Sequence, residues 1–364
     1  MISTRLFSFF FAIILLFPSM PAYTAPNVAE YAPDEYFRGT ITAIIREDGP
    51  DESGITQQYV STTLENDKKQ EVVNTVDEKI SRRRVSVGDD VVVIKVPGND
   101  GADIYYVSDY YRMGKILWFA ALFFALVILL GRWRGITSII GLAGSVAVLT
   151  VFIIPLIVRG YNPLVVVTSG SVIIICVSMF FAHGFNKSTR IAVASTGITL
   201  AIASTLAYLA VTLTSLFGTG SEEAMFVQVG ATGSLDLRGI LLAGIIIGTL
   251  GVLDDITTAQ TAAVRELHDA KSTMKFREMF TRVMRIGHEH IASLVNTLVL
   301  AYAGASFPLF LLFYTTSAQP LWVIINSQQV AEEIVRTLVG STSLILAVPI
   351  SSAIAAYYYT KHNA

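Results

Sequence analysis

The 364-residue chain is 53% hydrophobic and only 15% charged, with a mean hydropathy of +0.58. A soluble domain usually carries about a quarter charged residues, so this composition argues against an ordinary soluble protein and predicts apolar surface facing lipid. The 28 acidic and 26 basic residues nearly cancel. Because no nucleic-acid-binding motif is present either, the sequence predicts no nucleic-acid partner. The single cysteine, Cys176, excludes disulfides within the chain and Cys-ligated metal sites of the usual spacings.

The first 25 residues have the pattern of a secretory signal peptide. An apolar stretch at 2–17, with an early Arg5, is shorter than a bilayer span and is followed by Pro18 and Pro21. An uncleaved signal anchor is the alternative, because no clean small-x-small triplet ends at Ala25. Both interpretations place the next segment outside the cytoplasm.

Residues 26–112 are predicted to form an extracytoplasmic all-β domain that follows a short polar linker. Between 36 and 108, β-type runs are separated by Gly, Pro, Asn and Asp turn residues. About five or six short strands favour a small barrel or sandwich of the OB or SH3-like kind. Three arginines at 82–84 are interpreted as a solvated strand end. The alternative is contact with anionic lipid or a cell-wall polymer, which would make an envelope component a partner of this domain.

Residues 113–358 are predicted to form an all-α membrane bundle of about seven transmembrane helices. The apolar runs long enough to cross a bilayer are 114–131, 136–158, 163–183, 190–217, 238–254, 290–315 and 334–358. Most basic residues of the short loops fall on one side if the β domain lies outside. This asymmetry predicts a cytoplasmic C-terminus with a tail at 359–364, and makes the lipid bilayer the first expected partner.

The segment 257–286 is predicted to be a basic amphipathic helix between the fifth and sixth spans. Its apolar residues repeat at roughly helical spacing while six Lys and Arg side chains occupy other faces. A helix of this type usually lies along the cytoplasmic leaflet. Docking on a partner or closing the cytoplasmic mouth of the bundle are the alternatives.

Asp254 and Asp255 are the strongest candidates for a functional site. Only about fifteen uncharged residues separate Arg238 from Asp254, and they cover about 22 Å of a hydrocarbon core about 30 Å thick. An intramembrane carboxylate is costly and indicates function by default. Two adjacent carboxylates remain ionised only beside a cation, so the pair predicts a proton- or cation-coupling site. Alternatively, one Asp caps a helix that begins near Thr257.

A wider polar cluster is predicted at the cytoplasmic end of the bundle. Its members are Asp254, Asp255, Gln260, Glu266, Glu289, His290 and Asn296. Adjacent His and Glu side chains on a helix point in different directions, so the triplet at 288–290 does not make a metal site by itself. No nucleotide-binding loop, Ser nucleophile elbow, zincin motif or haem site is present. The sequence therefore predicts no cofactor, no catalytic residue and no ATP-driven pump.

Several long motifs resemble those of the YibE/F family of bacterial membrane proteins. They are VGDDVVV at 87–93, DYYR at 109–112, GIIIGTLGVLDDITTAQTAAVREL at 244–267, RIGHEHIASLVNTLVLAYAGASFPLFLLF at 285–313 and EEIVRTLVGSTSLILAVPI at 332–350. The resemblance covers most of the chain and implies a bacterial inner or plasma membrane location. It implies a shared core that includes Asp254, Asp255, Gln260, Glu266, Asn296 and Tyr302. His288 departs from the family, whose members more usually carry Arg there.

Three functions are compatible with these features. The leading hypothesis is a secondary transporter or permease for a small solute, ion or lipid, with the Asp pair as the coupling site. The second is a non-transporting cell-envelope assembly or anchoring factor that acts through its β domain. The third is an intramembrane enzyme that acts on lipid. The substrate and the oligomeric state do not follow from the sequence.

Overall fold

The computed structural model describes residues 35–51, 55–65, 69–77, 84–97, 103–230, 235–316 and 319–361. The predicted signal segment, most of the linker, Arg82 and Arg83 lie outside these ranges. The described residues up to Leu126 belong to one compact unit, and those from Val127 onward belong to a second.

The first unit contains a closed five-stranded β-barrel. Its strands are β1 (Glu35–Asp48), β2 (Ile55–Leu64), β3 (Lys69–Asp77), β4 (Asp90–Pro97) and β5 (Asp103–Tyr110). The barrel order is β1-β2-β3-β5-β4, with β3 and β5 parallel and every other pair antiparallel. A small all-β domain is therefore confirmed, and this strand order is the one found in OB barrels.

Alternation of inward and outward side chains builds the barrel interior. Along β2 every second residue is buried, from Thr56 to Leu64, as the period of two in a strand requires. The apolar interior is formed by Ile41, Val60, Leu64, Val72, Val85, Val91 and Val93. Register shifts in β1 after Ile41 and after Ile44 allow this long strand to bend and pair with both β2 and β4.

The stability of the barrel is expected to fall as pH falls through about 4, the ordinary range of a free Asp. Asp90 on β4 accepts a 2.7 Å hydrogen bond from Thr40 Oγ1 and a 3.1 Å bond from Arg38. The Thr40 hydroxyl, and then the Arg38 guanidinium, hold the pKa of Asp90 below its ordinary value. A lowered folded-state pKa contributes stability above the unfolded pKa, and this contribution is lost on acidification. Amide exchange of the strands, corrected for its intrinsic pH dependence, should show this loss in the wild type and a smaller one in Asp90→Asn.

The helical part of the chain begins with α1 (Met113–Ala147), which continues through a π-helical turn (Val148–Ile153) into α2 (Ile154–Val158). The turn precedes Pro155, which has no N–H to donate to the preceding helix. The backbone of Arg132 is non-helical, with φ 51° and ψ −133°, and this break lies in the loop predicted between the first two spans.

Eight described helices complete the order of the chain, and two of them form one broken helix. They are α3 (Pro163–His183), α4 (Lys187–Leu213), α5 (Glu222–Gly230), α6 (Leu237–Ala270), α7 (Phe276–Ala305), α8 (Phe307–Thr316), α9 (Leu321–Ile325) and α10 (Gln328–Lys361). The bend of 59° between α7 and α8 precedes Pro308. α7 and α8 together therefore form the broken helix.

Five helical runs among the described residues are long and apolar enough to cross a membrane, and the bent pair α7 and α8 makes a sixth. The sequence predicted about seven because it counted 114–131 and 136–158 separately. They fall within one helical run of 46 residues, Met113–Val158, which is broken at the non-helical backbone of Arg132. At 1.5 Å per residue, 46 helical residues would cover about 69 Å, more than twice the thickness of a bilayer core, so the run is long enough for the two predicted spans.

The prediction of one amphipathic helix at 257–286 is wrong. Helix α6 continues without interruption to Ala270, and α7 begins at Phe276 after a short break. The apolar residues of the segment are buried within the bundle. Val264, Met274, Met279 and Val283 share a cluster with Ile191 of α4 and Ala355 and Ala356 of α10. Their helical spacing therefore reflects packing of two separate helices against the bundle.

Helix α6 packs against α3, α4, α7 and α10 and holds the bundle together. Contacts with a constant sequence offset show that α3, α6 and α10 run in the same direction, and crossed contacts show that α4 and α7 run against them. The pairs with a constant offset are Pro163 with Gly239, Ser178 with Asp254, Gly244 with Arg336, and Gln260 with Ser352. The crossed pairs are Thr196 with Thr257, Thr212 with Arg238, Tyr302 with Gly248, and His290 with Gln260.

Two glycines of α6 lie where neighbouring side chains approach closely, and neither breaks the helix. A Cβ at Gly248 would lie 2.7 Å from the Tyr302 hydroxyl oxygen, and one at Gly239 would lie 2.9 Å from Cγ of Pro163. The helix itself is continuous. The Gly-rich sequence of this segment therefore does not interrupt the helix.

Replacing Gly218 by alanine is expected to destabilise the fold before α6. Gly218 has φ +78°, and a Cβ there would lie 2.1 Å from the carbonyl oxygen of Leu237. The backbone strain alone costs about 1–3 kcal/mol, and the carbonyl cannot move without disturbing the start of α6. The matched control is Gly197→Ala, in the middle of α4 with open space around its Cβ. Thermal unfolding of the intact protein should show a lowered midpoint for the first variant only.

Candidate functional site

Polar side chains recur on the buried face of α6. Thr249, Thr257, Gln260 and Thr261 are each at most 1% exposed. The three threonines donate hydrogen bonds to the carbonyl oxygens four residues earlier in their own helix. This local bonding satisfies their hydroxyl protons, and so they can lie inside an apolar bundle.

Asp254 lies in the middle of α6 and faces α3. Its Oδ2 accepts a hydrogen bond from the Ser178 hydroxyl. Its Oδ1 is buried and has no hydrogen-bond partner among the described residues. A buried carboxylate oxygen without a partner is energetically costly.

Asp255 has a different environment, although it is the next residue. Its side chain is exposed on the surface of the bundle, because successive helical residues point about 100° apart. The helix-capping alternative for this pair is wrong, since both residues have helical hydrogen bonding on either side and α6 continues to Ala270.

A polar layer extends from Asp254 into α4. The hydroxyls of Thr196 and Thr257 lie 2.6 Å apart, and Thr257 bonds back to the carbonyl of Leu253, next to the carboxylate. His183, at the end of α3, interacts electrostatically with both Asp254 and Asp255. The carboxylate therefore lies at the junction of α3, α4 and α6, close to hydroxyl groups and one imidazole.

Gln260 connects three helices two turns further along α6. Its Nε2 lies 2.9 Å from Nδ1 of His290 on α7, and its Oε1 accepts a 3.0 Å bond from the Ser352 hydroxyl on α10. Because the amide nitrogen can only donate, Nδ1 of His290 is the acceptor in this contact. Both Gln260 and Ser352 are fully buried, so this network fixes the relative positions of α6, α7 and α10.

The other residues of the predicted cluster join neither the polar groups around Asp254 nor the hydrogen-bond network of Gln260 in the described structure. Glu266 is 71% exposed and forms a 3.1 Å ion pair with Arg265. Glu289 and Asn296 are exposed on α7. No three His, Cys, Asp or Glu side chains among the described residues are grouped so that they could hold a metal ion. The structure brings Gln260 and His290 together and places Asp254 separately, against Ser178.

The sequence reasoning did not identify a second charged group at the start of α10. Glu332 is 6% exposed, and its Oε1 accepts 3.1 Å bonds from the Gly220 N–H and from Gln328. Glu333 and Arg336 form a 3.4 Å ion pair, and Nε of Arg336 is buried without a hydrogen-bond partner among the described residues. In the sequence, the opposite charges of Glu333 and Arg336 lie three residues apart in an apolar segment, and this spacing could have indicated the ion pair.

These charged residues line a cavity of about 620 Å³, hereafter the Glu332 cavity. It is bounded by the loop before α5, by α6 at Gly244, by the junction of α7 and α8, and by α10. Its polar lining comprises Ser221, Glu222, Glu223, Ser306, Gln329, Glu332, Glu333 and Arg336. The volume lies within the usual range of small-molecule sites, about 300–1,000 Å³.

Comparison with known proteins gives a family but no characterised relative. No curated protein and no solved structure matches the chain at a significant level. The model of the YibE/F-like protein family matches residues 119–361, which include every residue of the polar layer and of the Glu332 cavity. Since this match covers about two thirds of the sequence, the chain belongs to the YibE/F-like family.

Proposed function

We propose that this protein is a secondary transporter of the bacterial cell membrane. It moves a small solute, and Asp254 is the residue at which a proton or cation binds and is released. The family and the apolar helices fit a membrane location.

The ends of the bundle support a membrane orientation with the barrel outside the cytoplasm. Arg134, the turn between α3 and α4, and Arg265 lie at one end, where they line a common cavity. Lys187 and Arg190 begin α4 at this end as well. Short cytoplasmic loops carry an excess of Lys and Arg, which makes this end cytoplasmic. The Glu332 cavity then lies toward the extracytoplasmic end.

The observation that carries the proposal is the unpartnered Oδ1 of Asp254. It belongs to a carboxylate in the middle of a helix that has the length and hydropathy of a membrane span. Ionisable groups inside membrane spans mark ion or proton pathways. Asp254 has one hydroxyl donor, Ser178, and neither an Arg nor a Lys forms an ion pair with it among the described residues, so its charge state can change during a cycle.

The Glu332 cavity is the proposed solute site, and α6 connects it to Asp254. Gly244 lines the cavity, and ten residues of helix, about 15 Å, separate it from Asp254. A shift of α6 that changes the surroundings of one site therefore also acts on the other. This connection through one helix is the physical basis for coupling an ion to a solute.

The test is a ligand survey on the intact protein purified in detergent. Thermal unfolding is followed across pH, a panel of cations and a panel of small metabolites, for the wild type and for the double variant Asp254→Asn, Asp255→Asn. A ligand that binds the folded state raises its stability with concentration. We expect a proton- or cation-dependent rise in the wild type that the double variant lacks.

The opposite result has a specific meaning. Identical, ligand-insensitive unfolding curves for the two proteins would contradict the proposal. An envelope-assembly role for the barrel, which is a compact unit with its own apolar interior, would then be the better explanation.

A further inference from the structure

A second, smaller cavity lies at the proposed cytoplasmic end of the bundle, hereafter the Arg265 cavity. Its volume is about 300 Å³, and residues from α1, α3, α4, α6 and the turn between α3 and α4 surround it. Its lining consists of Arg134, His183, Asn186, Ser188, Thr189, Ala192, Thr258, Ala259, Ala262 and Arg265. It shares no lining residue with the Glu332 cavity.

The charge of this lining is positive. Two guanidinium groups and one imidazole line the cavity, and no carboxylate does. Arg134 forms no ion pair with any described residue, while Arg265 uses one nitrogen for its 3.1 Å contact with Glu266. Asp254 and Asp255 act on His183 from outside the lining. The two arginines thus retain several unused N–H donors, and the planar guanidinium group fixes the directions in which these donors point.

Two further features add donors to the same space. The cavity adjoins the first turn of α4, a helix of 27 residues whose Asn186 cap accepts a 2.9 Å bond from the Thr189 N–H. The N-terminal turn of a long helix carries partial positive charge. Independently, Thr258 Oγ1 of α6 is buried and has no hydrogen-bond partner among the described residues. An anion with several oxygens would satisfy these groups together.

We propose that the Arg265 cavity binds a phosphate group, carried either by an anionic lipid headgroup or by inorganic phosphate. Arg recognises phosphate through paired N–H bonds, and basic recesses between helices on the cytoplasmic side suit anionic headgroups. The proposal requires neither Asp254 nor the Glu332 cavity, although His183 of the lining also lies near Asp254. Its occupant would tie α1, α3, α4 and α6 together at one end of the bundle.

The test uses the intact, delipidated protein in detergent and follows its thermal unfolding. One arm adds inorganic phosphate, a second adds phosphatidylglycerol in mixed micelles, and a third adds phosphatidylcholine as a zwitterionic control without net negative charge. The variants are Arg134→Gln and Arg265→Gln, with Thr258→Val as a change that leaves the charge intact. Arg285→Gln is the matched control, since Arg285 is exposed on α7 and does not line the cavity.

We expect the wild type and Arg285→Gln to be stabilised by inorganic phosphate or phosphatidylglycerol, and much less by phosphatidylcholine, whose phosphate charge is balanced by its choline cation. Loss of one arginine should weaken the apparent affinity about tenfold, and Thr258→Val should weaken it less. A response to phosphatidylglycerol alone identifies a lipid headgroup, and a response to inorganic phosphate identifies a site for the free anion. The proposal is overturned if the wild type responds to neither ligand, or if all three cavity variants respond like Arg285→Gln.

Discussion

Asp254→Asn is expected to remove the dependence of the protein's stability on pH and cations, whereas Asp255→Asn keeps it. The carboxylate of Asp254 is directed into the bundle and has an unpartnered buried oxygen, while that of Asp255 is exposed. An amide at 254 still accepts from Ser178 but binds neither a proton nor a cation at neutral pH. Because a hydrogen bond to a charged group is worth about 1.5–3 kcal/mol, apparent cation affinity should fall at least about tenfold.

The comparison of the two single variants is measured by thermal unfolding over a series of pH values and cation concentrations. Each is the other's control, since both remove one carboxylate from the same turn of α6. If Asp255→Asn lost the dependence and Asp254→Asn retained it, the coupling site would lie on the surface of the bundle. That outcome would contradict the assignment of Asp254.

Gln260→Leu is expected to give a large loss of folding stability. The substitution leaves the Ser352 hydroxyl and Nδ1 of His290 without the partners that they have in the structure. Each buried polar group left without a partner costs about 1–3 kcal/mol, so we expect a total of about 2–6 kcal/mol for the two groups. Thermal or denaturant unfolding in detergent measures this loss.

Asn296→Leu is the matched control for that loss. It also exchanges a side-chain amide for leucine, but Asn296 is exposed on α7 and outside the polar layer. Its unfolding midpoint should stay close to that of the wild type. Equal losses for the two variants would show that the network around Gln260 does not hold the helices together.

The barrel and the apolar helices could be predicted from the sequence because their signals are local. The alternation from Thr56 to Leu64 follows directly from the geometry of a strand. Long apolar runs likewise reflect the thickness of a bilayer. The closed order of the strands depends on the parallel contact of Val73 with Tyr106, two residues far apart in the chain, and no local pattern contains it.

The length of α6 could not be predicted, for a physical reason. Thr257, Thr258, Gln260 and Thr261 fall in the segment that the sequence predicts to be a surface helix, after a fifth span predicted to end at 254. In the structure the threonine hydroxyls at 257 and 261 bond to their own helix, and Gln260 bonds to Ser352, 92 residues away. Tertiary hydrogen bonding thus allows a polar sequence to be buried.

Asp254 and Asp255 illustrate the same limit at the site. Their position inside a short apolar segment predicted part of α6, but the sequence treated them as an equivalent pair. The rotation of α3 about its own axis determines which of the two carboxylates contacts Ser178. The ion pair of Glu333 with Arg336 was missed because the last span was started at 334, whereas α10 begins at Gln328.

The most direct test of ion coupling is an electrical measurement on reconstituted protein. Proteoliposomes on a solid-supported membrane are exposed to rapid changes of pH or cation concentration, and the charge that moves is recorded for the wild type, Asp254→Asn and Asp255→Asn. We predict a transient current in the wild type and in Asp255→Asn, and none in Asp254→Asn. A current of equal size in Asp254→Asn, or no current from the wild type under any gradient, would contradict ion coupling at Asp254.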